Sequence, residues 1–328
     1  MNKFLKFFLL LVLSTALTAG VFLSAVFLIP PDSFSDTYQS VIQRKYDTLL
    51  NTNDPKIIIV GGSNSAFGID EELIERETGY KVANLGLHGG FGSVIPAQLA
   101  KANINKGDIV LLACEWNWLC DEEAFSTVGA DLVMSGFDGR LDMYLRMPID
   151  EIPSFIGYLP TFVQQKIEHA EEKTEGVYSS ASFDDAGKMT LERQDSMTGY
   201  AEKKDIYKSV NAEGCVPSQE TVDYLKEYKE FVEKCGASVY FVSPPLLDEA
   251  AECSPEAFRE AARIEEELIG VPYISDPVEY LLPAEMMFDT IYHCNSRGAL
   301  YRSQLLVKDL RNAGALKLDV SASDAQQG

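Results

Sequence analysis

Histidine, positive charge and closely paired cysteines are what this chain of 328 residues has least of. Three histidines occur, His88, His169 and His293, so any imidazole chemistry must use one of them. Lysine and arginine total 28 against 50 aspartates and glutamates, for a net charge of −22. No basic patch survives such a field, which argues against nucleic acid as a partner. The 6 cysteines are irregularly spaced and form no C-x-x-C pair, which argues against a zinc site. Cys114 and Cys235 border apolar segments and read as small buried hydrophobes; no disulfide pairing is dictated. No internal repeat is visible, and nothing in the composition asks for a cofactor.

Charge is also missing from the N-terminus. From Phe4 to Ile29 the one charged residue is Lys6, near the start. About 26 residues at 1.5 Å each give roughly 39 Å, enough to cross a bilayer with some tilt. Lys3 and Lys6 lie on the N-terminal side of the run, while Asp32 and Asp36 follow the span. The positive-inside bias therefore puts the short N-terminus in the cytoplasm and the rest of the chain outside it. A cleaved signal peptide, with Ala16-Leu17-Thr18-Ala19 as the cut, is the alternative. The run is longer than an ordinary signal core, which favours an uncut anchor.

Beyond the span, strand and helix patterns alternate. Pro30-Pro31 ends the apolar run, and residues 30–54 form a polar connector. Strands are predicted at 56–60, 80–85, 108–114 and 237–243, with a weaker one at 271–275. Helices are predicted at 70–78, 92–104, 218–235, 255–269 and 296–312. In 255–269, Ser254 can cap, Pro255 suits the first turn, and Phe258, Ala261, Ile264 and Leu268 are read as the buried face. This alternation predicts an α/β fold, a parallel sheet covered by helices on both faces. The order breaks at about 121–217, read as a partly helical insertion over the sheet edge. The domain is predicted at 55–315, with a disordered polar tail at 316–328.

The chemistry concentrates where the first strand ends. Ile57-Ile58-Ile59-Val60 reads as a buried strand, and Gly61-Gly62 opens a sharp turn onto Ser63. A serine there stands at the carboxyl edge of the sheet, where open α/β folds hold their ligands. As a nucleophile it needs a base. His169 sits in the run Lys166-Ile167-Glu168-His169 and reads as a solvated helix residue. His88 reads as a turn residue after Asn84-Leu85-Gly86-Leu87. His293 comes four positions after Asp289, in a loop before the last helix, so the carboxylate can accept from one ring nitrogen while the other faces Ser63.

Four short blocks, in order along the chain, resemble the SGNH (GDSL-like) hydrolases and acyltransferases. They are Gly61-Gly62-Ser63-Asn64-Ser65, Asn84-Leu85-Gly86, Glu115-Trp116-Asn117 and Asp289…His293-Cys294-Asn295…Gly298. With the N-terminal span, the chain is similar to the membrane-anchored branch that includes the D-alanyl transfer protein of teichoic-acid synthesis and alginate O-acetylation proteins. The resemblance implies a three-layer α/β/α, flavodoxin-like fold. It implies Ser63 as nucleophile, His293 as base and Asp289 as its orienting carboxylate. Gly86 N–H and the Asn117 amide are implied as oxyanion donors. Gly62 stands where the usual motif has aspartate, and the aspartate-to-histidine spacing is one residue longer than the usual D-x-x-H. The implied substrate is an acylated glycan or envelope polymer, and the implied partner a membrane-bound O-acyltransferase.

Two other function classes fit parts of the pattern. A Gly-Gly-Ser turn after a strand can cap a helix or cradle a phosphate, but neither Lys nor Arg comes directly after it. A scaffold of the same fold that has lost the reaction is the other; retention of Ser63, Asp289 and His293 argues against it. Trp116 and Trp118 suit core or rim positions better than a sugar platform.

Overall fold

The computed structural model describes residues 2–30, 33–53, 55–117, 128–168, 176–203 and 209–317. Pro31, Asp32, Trp118, Cys120, His169, the acidic run 171–175 and the tail from 318 lie outside the described residues. In chain order come α1 (Lys3–Phe27), α2 (Val41–Asn51), β1 (Lys56–Gly61), α3 (Ser63–Gly68), α4 (Glu71–Thr78), β2 (Lys81–Asn84), α5 (Val94–Ala100) and β3 (Ile109–Ala113). Next are α6 (Ala130–Gly136), α7 (Leu141–Tyr144), α8 (Ile152–Glu168), α9 (Gln219–Lys234), β4 (Ser238–Phe241), β5 (Leu246–Leu247), α10 (Pro255–Ile269), β6 (Leu281–Leu282) and α11 (Ser296–Asn312). The chain divides into two compact units. One joins residues 1–43 with 130–181; the other joins 44–129 with 182–328.

In the second unit β1 to β4 form one parallel sheet, in the order β2-β1-β3-β4. Every residue of β1 is buried. Since alternate side chains point to opposite faces, both faces of β1 must be covered. Ile57 and Ile59 pack with Leu73 of α4 and Leu306 and Leu310 of α11, while α5 also packs on β1. The chain winds outward from β1 in opposite directions, to β2 on one side and β3 on the other. Such a reversal opens a crevice beyond the strands' carboxyl ends, and β1 leads through Gly62 directly to Ser63 there.

Several local expectations changed. The strand expected at 271–275 is a single parallel bridge between Phe241 and Tyr273. Pro272 has no N–H to donate, so the ladder cannot extend through it. The connector contains α2, whose Tyr46 and Leu49 are buried. A separate two-stranded parallel pair, β5 and β6, appears at 246–247 and 281–282. On α10 the buried face is Phe258, Ala261, Ala262, Glu265 and Ile269, while Leu268 is exposed. This is the true 3.6-residue stripe; it runs through a glutamate, which the apolar pattern alone bypassed.

In the first unit, Phe34 stacks on Phe162 with ring centroids 5.5 Å apart. Lys166 is fully buried and paired with Asp138 at 2.6 Å, so the run leading to His169 is not simply a solvated face. Helix α1 is long and apolar enough to cross a membrane.

Among the cysteines, Cys215 is disulfide-bonded. Cys114, Cys235, Cys253 and Cys294 are free, with Cys114 buried and Cys235 partly so.

Candidate active site

Gly62 is the N-cap residue of α3, and Ser63 is the helix's first residue, half-buried at the sheet edge. The Ser63 hydroxyl has no hydrogen-bond partner among the described residues. Its neighbours are tied down instead. Asn64, fully buried, donates through Nδ2 to the Ala113 carbonyl at 3.1 Å and to Glu115 Oε1 at 3.2 Å. Arg302 of α11, also buried, donates to the Asn64 carbonyl at 2.7 Å and to Asn64 Oδ1 at 3.2 Å. The turn is thus held to the end of β3 and to α11. Burial pushes the Glu115 carboxyl up, against the Asn64 hydrogen bond and the His293 and Arg302 charges that favour ionisation. Burial likewise lowers Arg302.

The second block approaches from β2. A Cβ at Gly86 would lie 2.4 Å from Ser65 Cβ and 2.7 Å from the Gly62 carbonyl oxygen, so only glycine lets these chains come together. Asn84 fastens the contact, donating to the Ser65 carbonyl at 2.9 Å and to Glu71 Oε1 at 2.8 Å. Its Oδ1 accepts from Gly86 N–H at 3.0 Å, so in this structure that N–H is already engaged.

The histidine loop arrives from the far end of the chain. Phe288 N–H donates to the His293 carbonyl at 2.7 Å, and Met287 and Cys294 form an antiparallel bridge. This short closed loop brings Asp289 Oδ1 to 2.8 Å from His293 Nδ1 across four residues. Asn295 then caps α11, accepting from Gly298 N–H at 2.9 Å. The His293 ring is buried and lies flat on Phe67 of α3, with centroids 4.1 Å apart and planes 3° from parallel. One helical turn separates Phe67 from Ser63, so the ring stack brings the histidine to the helix that Ser63 begins.

Asn117 is half-buried just beyond β3. The backbone of Asn117 and Trp116 partly offsets the burial that drives the Tyr292 phenol well above its usual range, so this segment lies beside the residue preceding His293. Trp116 is a core residue, edge-on to Phe258 at 5.2 Å. His88 is a turn residue whose Nδ1 accepts from Gly90 N–H at 2.8 Å. Burial raises the Cys294 thiol to about 11, which keeps it a packing group.

Two contributors were not foreseen from the sequence. One is Phe67. The other is Arg193, which lies in the long insertion and is 6% exposed. Arg193 Nη2 donates to the Phe67 carbonyl at 3.0 Å and Nε donates to the Cys294 carbonyl at 3.2 Å. One guanidinium therefore links the serine helix to the histidine loop. Among the described residues no cluster of His, Cys, Asp and Glu could hold a metal ion.

No protein-family model matches this chain. No curated protein matches it either. Among solved structures, the chain is similar to the crystal structure of protein YxiM from Bacillus subtilis at 13% identity and a TM-score of 0.38. That match takes in 80% of this chain and spans 57% of the other.

Proposed function

We propose that this chain is a serine esterase or O-acyltransferase of the SGNH type, held at a membrane by α1 with its second unit outside the cytoplasm. The observation that carries the reading is the Asp289–His293 pair seated flat on the helix that Ser63 begins, at the carboxyl edge of the sheet.

In this reading Ser63 Oγ attacks an acyl carbonyl carbon, and its proton passes to His293 Nε2. Asp289 accepts from Nδ1–H, fixing the tautomer and stabilising the imidazolium. The tetrahedral oxyanion is met by the Ser63 N–H and the Asn117 amide. Gly86 N–H, engaged by Asn84, joins by sharing its hydrogen or by releasing that contact. One such donor is typically worth about 2.7–4 kcal/mol. Collapse breaks the ester bond, and the leaving alkoxide takes the proton from His293. The acyl-Ser63 ester is then opened by water in an esterase, or by a sugar hydroxyl in a transferase. The Ser63 hydroxyl, without a partner among the described residues, closes on its base when a substrate carbonyl is seated. An acylated glycan or envelope polymer is the proposed substrate. A membrane-bound O-acyltransferase that exports the acyl group is the proposed partner.

Turnover of p-nitrophenyl acetate by the full chain, beside Ser63→Ala, tests this. Equal rates in the two proteins would sink the Ser63 assignment. That the Ser63 hydroxyl has no partner among the described residues favours one second reading, a scaffold that keeps the fold without the reaction. Failure of the native protein to label with a fluorophosphonate, while folded, would select it.

A further inference from the structure

In the first unit, an open groove of about 560 Å³ runs between α1 and the segment 141–159. Ser14, Thr18 and Leu23 flank it on one side and Leu145, Ile152 and Ile156 on the other; none of its lining residues is charged. Beside it, Leu145 is 75% exposed and Ile156 53%. Helix α8 carries no charge from Ile152 to Gln165, yet of its 17 residues only Phe155, Phe162 and Lys166 are buried. A helix facing water does not look like this. Helix α9, of similar length, has an outer surface rich in Glu and Lys. An uncharged, mostly exposed helix that continues an apolar patch marks a surface meant for an apolar medium.

The level of the groove says which medium. Ser14 to Leu23 covers roughly 14 Å of helix rise, beginning roughly 16 Å from Lys3. If α1 crosses a hydrocarbon layer of about 30 Å, this stretch lies in the half nearer its C-terminal end. Whatever flanks it at that height lies in the same layer.

We propose that the charge-free stretch of α8 from Ile152 to Gln165, together with Leu145, is immersed in the leaflet that surrounds the C-terminal half of α1, with lipid acyl chains filling the groove and the charged side chains of Asp142, Arg146, Asp150 and Glu151 held at the headgroup layer. The exposed apolar side chains then gain what burial in protein would otherwise give them. The second membrane contact makes the first unit a rigid foot on the bilayer rather than a tether on one helix. This rests on the reading of α1 as a spanning helix, given under Proposed function.

The full chain, reconstituted in phosphatidylcholine vesicles with and without brominated acyl chains, tests it through tryptophan emission. Leu145→Trp and Ile156→Trp probe the face. Leu13→Trp, at a site 65% exposed, probes α1 itself; Val216→Trp, at a site 54% exposed in the other unit, is the reference. All four positions are open enough to accept the ring, and the two native tryptophans are common to every variant. The expected result is loss of emission in brominated vesicles for Leu145→Trp and Ile156→Trp, comparable with Leu13→Trp and well above Val216→Trp. Quenching of Leu13→Trp without quenching at the face would overturn the proposal and leave the anchor standing. Blue-shifted but unquenched emission from the face would show that protein, such as a second copy, covers it, and would also overturn the proposal. If Leu13→Trp is itself unquenched, the spanning reading falls and the proposal with it.

Discussion

The imidazole of His293 rests on the ring of Phe67, 4.1 Å between centroids and 3° from parallel. Phe67 is fully buried, and Phe288 also stacks with it at 6.2 Å between centroids. The aspartate hydrogen bond fixes the imidazole's rotation, and the phenyl shelf fixes its plane. The two constraints come from different parts of the chain.

Replacing Phe67 with leucine keeps an apolar side chain but removes the flat shelf. The expected outcome is a fall in kcat for p-nitrophenyl acetate of about tenfold, equivalent to about 1.4 kcal/mol, with KM little changed. A variant that loses stability but keeps native kcat would show that the stack is packing alone.

Arg193 joins the Phe67 and Cys294 carbonyls through one planar guanidinium. A lysine is a point charge and cannot span both acceptors with the same geometry. Arg193→Lys is expected to lower kcat more than it changes KM, and Arg193→Met to lower it further. Losing these two charge-assisted hydrogen bonds costs about 1.5–3 kcal/mol of stability each, which a denaturant titration reads. Equal effects of both variants on kcat and KM would count against a positioning role.

Gly86→Ala puts a methyl group onto Ser65 and the Gly62 carbonyl. The nearest atoms belong to the serine turn, and backbone cannot swing aside. A loss of about 1–3 kcal/mol is expected from overpacking, together with a loss of turnover larger than a surface Gly→Ala control shows. Native activity in Gly86→Ala would mean that the second block does not brace the turn.

Glu265 is fully buried on α10, and neither carboxyl oxygen has a partner among the described residues. Burial raises its pKa from 4.5 to about 8. The folded state then holds a proton that the unfolded chain releases, so this group's contribution to stability is greatest below about pH 4.5 and declines as the pH rises toward 8. Above that the contribution is lost. Glu265→Gln cannot titrate, so its melting temperature should fall less than that of the native protein between pH 5 and pH 8. Parallel slopes in the two proteins would refute this.

The parts legible beforehand are those governed by short-range rules. Ile57 to Val60 is a strand because it is continuously aliphatic and ends at two glycines. Helix α10 starts where expected because Ser254 accepts from Ala257 N–H and Pro255 fills the first turn. Asp289 and His293 meet because a loop of four residues closes on itself. The parts missed depend on distant segments. Nothing local marks Arg193, in an irregular segment, as the clamp between α3 and the histidine loop. Nothing in the α10 pattern predicts that a glutamate stands at the centre of its buried stripe. The weak strand near Tyr273 shrank to one bridge because a proline in it cannot donate.

By itself, the sequence determined the apolar N-terminal helix, the alternation of strands and helices, and the reach between a carboxylate and a histidine four residues apart. These are consequences of hydrophobic period, capping chemistry and chain geometry within a few residues. Only the tertiary structure decided that Phe67 carries the imidazole, that Asn84 engages the Gly86 N–H, and that Asn64, Glu115 and Arg302 hold the serine turn from behind. Those contacts join residues as much as 238 positions apart, and no local rule acts across that distance; packing of the whole sheet and its helices has to bring them together.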